Sequence, residues 1–145
     1  MTIMTEEKLS SERNRSQSIM VIRNNLDLEE LLNRSLELDG FNIIVAADEN
    51  EAMSLLDKIS PDMVIMDAVT ADAHSLHILD SVREKTTVPV IMLISDNEMD
   101  SLKMVFEHGA DDCIRKPFGK QLFLARIHAK LRPRKMVKLK PLQRQ

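Results

Sequence analysis

The chain has 145 residues, 43% of them hydrophobic, which suffices for one domain of ordinary size around a single core. One cysteine, Cys113, excludes an internal disulfide, and there is neither an apolar run of membrane-spanning length nor a charged-then-apolar leader, so a cytoplasmic protein is expected. The net charge of −3 hides an asymmetry: residues 132–145 carry six Lys or Arg and no acid, and taking those six charges away leaves −9 on the rest. With no Trp, no Tyr and four Phe, the chain lacks the aromatic platforms that stack exposed bases.

Residues 1–17 are polar, mixed in charge and without apolar period, the composition of a disordered leader. From Ser18 the pattern changes. Ile19-Met20-Val21-Ile22 reads as a buried strand, and Leu28, Leu31, Leu32 and Leu36 then recur at helical spacing until Asp39-Gly40. Asn42 to Ala47 predicts the next strand, followed by a helical face of Ala52, Leu55, Leu56 and Ile59 that Ser60-Pro61 closes. Met63 to Asp67 is the third strand, with Leu76, Leu79 and Val82 lining the helix after it. Val88 to Ile94 is the fourth and longest apolar run, and Leu102, Val105 and Phe106 face a helix ending at Gly109. A fifth strand, Asp112 to Arg115, precedes a last helix with Leu122, Leu124, Ile127 and Leu131, stopped by Pro133. Five such units, with strands apolar on both faces, predict an α/β fold: a doubly wound, five-stranded parallel sheet with right-handed crossovers. The domain is expected at residues 18–132, and 133–145 form a basic tail or linker in which Met136-Val137-Lys138-Leu139-Lys140 alternates like an edge strand.

Asp67 ends its strand in a carboxylate at the edge where such sheets build their sites, and it could accept a phosphoryl group. Lys116-Pro117 follows the fifth strand and places an ammonium within reach of that carboxylate or of a phosphoryl oxygen bound there.

With these residues in place, the stretch from Ser18 to Arg132 resembles the receiver domain of two-component response regulators, the CheY-like family of flavodoxin-like architecture. The resemblance rests on the order of the five units, on Pro61-Asp62 before the strand of Asp67, on Val88-Pro89-Val90-Ile91-Met92-Leu93, and on Gly109-Ala110-Asp111-Asp112 leading into Lys116-Pro117-Phe118. It implies that Asp67 is phosphorylated by a partner histidine kinase beside a Mg²⁺ ion, that Lys116 contacts the phosphoryl group, and that the Lys116-Pro117 bond is cis. It also implies a phosphorelay signalling module and not an enzyme.

The departures are as informative. Where the family ends its first strand in two metal-holding acids, this chain has Arg23-Asn24, followed by Asn25, with Asp27 already in the helix. Mg²⁺ is usually held by one or two carboxylates with waters and phosphate oxygens, so Asp67 beside a guanidinium is a poor host and no cofactor is expected. Arg23 and Lys116 are expected to balance the charge of Asp67 instead. The switch hydroxyl of the fourth strand is replaced by Ile94, with Ser95 next along, and the aromatic of the fifth by Cys113. After Asp67, the segment Ala68 to His74 has neither the Pro nor the Gly usual in the family.

Asp111-Asp112 and Leu124-Ala125-Arg126-Ile127 resemble the OmpR/PhoB-type subgroup in particular. Its members dimerise on this face, which makes Asp111, Asp112 and Arg126 candidates for pairs across a two-fold axis, such as Asp112 with Arg126. That subgroup carries a winged-helix DNA-binding domain after the receiver. Here the sequence stops at Gln145, and none is expected in this chain.

His74 and His77, at i,i+3 spacing with no third ligand in view, read as surface histidines, and Cys113 as a small strand residue near the surface. The expected function is an atypical receiver that works by binding a protein partner, a histidine kinase or a downstream effector, or by homodimerising through its last two βα units. Phosphorylation control is weak or absent in this reading. The alternative is a working receiver phosphorylated on Asp67, with Mg²⁺ as cofactor. A nucleotide- or flavin-dependent enzyme would need a Gly-rich first loop; Arg23 to Leu26 has no glycine, and Gly40, Gly109 and Gly119 lie elsewhere.

Overall fold

Five short strands rich in Ile, Val and Met form the centre of the molecule, because side chains this apolar on both faces are stable only with helices packed on each side. In the computed structural model, which describes residues 17–23 and 26–131, these are β1 (Ser18–Ile22), β2 (Asn42–Ala46), β3 (Met63–Asp67), β4 (Val90–Ile94) and β5 (Asp112–Arg115). The helices between them are α1 (Leu26–Leu38), α2 (Glu49–Lys58), α3 (Ala73–Lys85), α4 (Met99–Glu107) and α5 (Lys120–Leu131). All strand pairs are parallel and the order is β2-β1-β3-β4-β5. The chain therefore reverses its direction of winding between β1 and β3. The leader, the basic tail, Asn24 and Asn25 lie outside the described residues.

Alternation along each strand divides the core in two. Met20, Ile22, Val64, Met66, Val90, Met92, Ile94 and Cys113 face one side, where Ala52 of α2, Leu76, Leu79 and Val82 of α3 and Val105 of α4 cover them. Ile19, Val21, Met63, Ile65, Ile91, Leu93 and Ile114 face the other, beneath Leu32 and Leu36 of α1 and Phe123 and Ile127 of α5.

Two helical faces differ from the sequence expectation. In α5, Leu122 is exposed and Phe123 takes the core position, stacked on Phe118 with ring centroids 5.3 Å apart. In α4, Phe106 points outward and Val105 inward. Both helices carry apolar residues around more than one face, so the pattern alone does not fix which face meets the sheet. β4 begins two residues later than the apolar run that announces it, since Pro89 offers no N–H and serves only through its carbonyl, which accepts from Val64 at 2.9 Å.

Short polar ties set the strand starts. Asp62 donates its N–H to the Ser18 carbonyl at 2.8 Å and accepts from the Ser18 N–H at 2.8 Å, which accounts for the Pro61-Asp62 pair. Arg83 of α3 joins three segments: Nε donates to the Gly109 carbonyl at 2.6 Å, Nη1 to the carbonyls of Val88 at 2.7 Å and Thr86 at 3.2 Å, and Nη2 to Asp111. Asp111 in turn accepts from the Val90 N–H at 2.8 Å, which anchors the first residue of β4. Gly109 sits against this side chain at φ +106°, and an added Cβ would come 2.8 Å from Arg83 Cγ.

Arg83→Ala is expected to lower stability in urea by about 2–4 kcal/mol, because several carbonyls and Asp111 lose a charged donor at once. Arg83→Lys is expected to recover only part of the loss, since one ammonium cannot reproduce the planar fork.

Candidate functional site

The carboxyl end of β3 stands at the reversal between β1 and β3, the position where open α/β sheets leave a crevice for ligands. Ile22 pairs with Met66, so the next residues along, Arg23 and Asp67, come opposite each other across the two strand ends. They line one cleft of about 510 Å³ with Asp48 and Glu49 at the start of α2 and Thr70, Asp72, His74 and Ser75 at the start of α3. On the other side β3 pairs with β4 and β4 with β5. From the β5 end Lys116 reaches back over β4, and its Nζ lies 2.6 Å from Asp67 Oδ1. Both groups are withdrawn from water, with side-chain exposures of 1% for Asp67 and 15% for Lys116. The Lys116–Pro117 peptide is cis.

Most acids around the cleft are already committed. Asp48 caps α2 by accepting from the Glu51 N–H at 2.9 Å, and Glu51 returns a bond from the Ala47 N–H at 2.6 Å. Asp72 caps α3, and the Ser75 N–H at 2.9 Å holds its carboxyl below the usual range. Glu49 accepts from Ser81 at 3.0 Å and lies 3.1 Å from His77 Nε2. Among the described residues no group of three or more His, Cys, Asp or Glu is placed to hold a metal ion. Mg²⁺ takes a hard, oxygen-rich shell, and Arg23, standing opposite Asp67, brings a guanidinium that cannot ligate it, so these residues are a poor fit for the ion. His74 lines the cleft, whereas the His77 side chain is 67% exposed.

Ile94 and Cys113 belong to one packed apolar cluster with Met66 and Met92, and Ile94 is wholly buried. Ser95 is exposed, its N–H donating to the Val69 carbonyl at 2.8 Å. Cys113 is buried, contrary to the expectation of a near-surface residue. Its position on β5 turns it toward α3 and α4, and burial pushes its thiol up to about 11, outweighing the opposing pull of Arg115. That is the reverse of what a reactive cysteine needs.

The three candidates for a dimer face are engaged within the chain. Arg126 Nη1 meets both oxygens of Asp112, at 2.8 and 3.0 Å, and Asp111 is held by Arg83 and Val90. Asp96 drew no attention in the sequence, and Arg115 only as the end of the fifth strand and a neighbour of Cys113. Asp96 sits in what reads as an ordinary polar loop, yet it accepts hydrogen bonds from Ala71, Glu98 and Ser101. The one readable signal was an Asx residue two positions before the N-cap of α4.

A parallel sheet in this order, with an acid at the β3 tip and a lysine reaching it from β5, defines a receiver-type domain of the CheY-like, flavodoxin-like architecture. The sequence model of the response regulator receiver domain matches residues 19–128, and the chain belongs to that family. The transcriptional regulatory protein CpxR of Escherichia coli K12 is 37% identical over 115 residues, 79% of this chain and 49% of CpxR, which is of OmpR/PhoB type. The chain thus spans about half the length of the curated relatives it matches. Among solved structures it is similar to a two-component response regulator from Clostridium difficile (TM-score 0.74, 25% identity, 80% of this chain and 96% of that one). It is also similar to a response regulator from Thermotoga maritima (0.73, 29%, 79% and 97%) and to HP1043, an orphan response regulator of H. pylori (0.72, 26%, 82% and 99%). A receiver domain of two-component signalling is in general a signalling module and not a catalyst. Among the described residues no helix is long and apolar enough to cross a membrane.

Lys116→Met is expected to cost about 3–5 kcal/mol in urea unfolding, because it leaves a buried carboxylate short of a partner. Adding Asp67→Asn to it should return part of that loss, a coupling read from the double-mutant cycle. The Cys113 thiol, raised in the folded state, predicts stability that is full below pH 9 and falls as pH climbs toward about 11, since the unfolded chain releases the proton first. Cys113→Ala is expected to abolish that component of the pH profile.

Proposed function

We propose that this chain is an atypical receiver domain that acts in a fixed state, by binding a protein partner, with weak or no control by phosphorylation. The observation that carries the reading is the register that sets Arg23 opposite Asp67 while Lys116 closes on the same carboxylate at 2.6 Å. A permanent guanidinium and an ammonium balance the aspartate where a divalent ion would otherwise be recruited. Asn24, an amide in place of a second acid, removes a further metal ligand. At the positions through which phosphorylation would be felt, Ile94 has no donor to offer a phosphoryl oxygen and Cys113 is too small to swing as an aromatic does.

The domain we assign runs from 18 to 132, between the leader and the basic tail. Its partner is a histidine kinase or a downstream effector, met in the cytoplasm, and a homodimer through the last two βα units belongs to the same proposal. Met99, Met104 and Phe106 on α4 and Leu122 on α5 are four of the six exposed large hydrophobic side chains among the described residues, and Met99 and Phe106, seven residues apart, share one side of α4. Asp111, Asp112 and Arg126 border it as in-chain pairs, so the contact would draw on apolar area more than on charge. HP1043 is described as an orphan regulator, and CpxR as a transcriptional one.

The competing reading, a working receiver, draws support from the same two cations, which could offset the −1.5 to −2 charge of a phosphoryl group at about neutral pH. Acetyl phosphate with Mg²⁺ separates the two. Intact-mass measurement is expected to show no phosphate-sized gain in the natural chain and a gain once Arg23→Asp and Asn24→Asp restore an acid pair. A gain in the natural chain that disappears in Asp67→Ala would overturn the proposal.

A further inference from the structure

The loop between β4 and α4 is gathered onto one side chain. Asp96 Oδ1 accepts from the Glu98 N–H at 3.1 Å; Oδ2 accepts from the Ser101 hydroxyl at 2.9 Å and from the Ala71 N–H at 3.3 Å. The N–H groups of Ser95 and Asp96 both donate to the Val69 carbonyl, at 2.8 and 3.2 Å. The Asp96 carbonyl accepts from Arg115 Nε at 3.0 Å, and the same guanidinium donates to the Glu98 carbonyl. Asp96 thereby touches the segment after Asp67, the first turn of α4 and the end of β5. Glu98, the N-cap of α4, makes no side-chain capping bond, and Asp96 instead ties the helix start through the Glu98 N–H and the Ser101 hydroxyl.

Loops at a ligand crevice are usually drawn from the least stable parts of a fold. This one is held by several bonds, some to ionised groups, which are stronger than neutral ones. Moving it away from α4 or from the Val69–Ala71 segment means breaking them together. Ile94 immediately before it is locked in the core, and Lys116, after Arg115, donates its N–H to the Ile94 carbonyl at 2.8 Å. The loop therefore has a fixed point on each side.

We propose that Asp96 and Arg115 form a clamp that holds the segment after Asp67, the β4–α4 loop and the first turn of α4 as one body, so that the α4–α5 face is presented in a single arrangement. The proposal deepens the fixed-state reading and rests on it for its functional meaning. It names Asp96 and Arg115 as positioning residues.

Amide hydrogen exchange on the full chain, followed residue by residue by NMR, tests it. The natural chain is expected to protect the amides of Ala71, Ser95, Asp96 and Glu98. Asp96→Ala should speed exchange there by about tenfold or more, as loss of hydrogen bonds to a charged group implies, while Ile91 to Leu93 keep their protection. Arg115→Gln should speed Ser95 and Asp96 in the same sense, and it keeps the test valid if Asp96→Ala does not fold. Fast exchange at these amides in the natural chain, or protection unchanged in both variants, would overturn the clamp. Repeating the measurement after acetyl phosphate and Mg²⁺ separates the two claims. Phosphorylated Asp67 with the four amides still protected would sink the unphosphorylated reading and leave the clamp standing, whereas an unmodified Asp67 with unprotected amides would do the opposite.

Discussion

A carboxylate that is 99% withdrawn from solvent must find its counter-charge inside the protein, and the carboxyl edge of this sheet is organised around that requirement. Lys116 can meet Asp67 only because β5 lies beyond β4 in parallel register, with Ile94 opposite Arg115, which brings the residue after β5 over the β4 tip. β4 in turn owes its start to Asp111, itself held by Arg83. The ion pair at the site and the hydrogen-bond hub some way from it are thus linked by the placement of two strands.

The apolar surroundings work in the same direction. A change at Asp67 can shift a conformational equilibrium only through groups that interact differently with its two states. Ile94 is a hydrocarbon packed against other hydrocarbon, and Cys113 belongs to the same apolar cluster. Close packing resists small displacements and passes none of the directional information that a hydrogen bond carries. The polar connections lie instead on the outer side, through Asp96 and Arg115, where they tie segments together.

Much of this was legible in the residues. β3 and β5 have in the structure the limits that their sequences give, because a turn signal or a charge bounds each apolar run on both sides. The meeting of Asp67 and Lys116 followed from strand tips in a parallel sheet. Helix orientation was harder: Leu122 and Phe123 are adjacent and both apolar, and only the neighbouring surface of β5, β4 and α1 selects Phe123. Asp112 and Arg126 illustrate another limit. Their opposite charges were evident, but a sequence does not say whether such a pair closes within one chain or between two, and here the fold brings them together within the chain. The ties made by Arg83, Asp96 and Arg115 were not legible because most of their partners are backbone carbonyls and amides, which every residue has and no side-chain pattern reveals.

Charge balance alone would not prevent a phosphoryl group from residing on Asp67. Phosphorylation would turn the carboxylate into an acyl phosphate and leave Lys116 free to meet a phosphoryl oxygen, and Arg23 stands across the strand ends, so a modified state has cations near it. On the proposed reading the deficit lies in the transfer step. Phosphoryl transfer depends on holding nucleophile and leaving group in line while charge spreads over the equatorial oxygens, a task for a divalent ion that bridges acid and phosphate. A guanidinium at position 23 contributes charge without coordination. On the proposed reading, the substitution that balances the resting aspartate also leaves its phosphorylation without a divalent ion to align it.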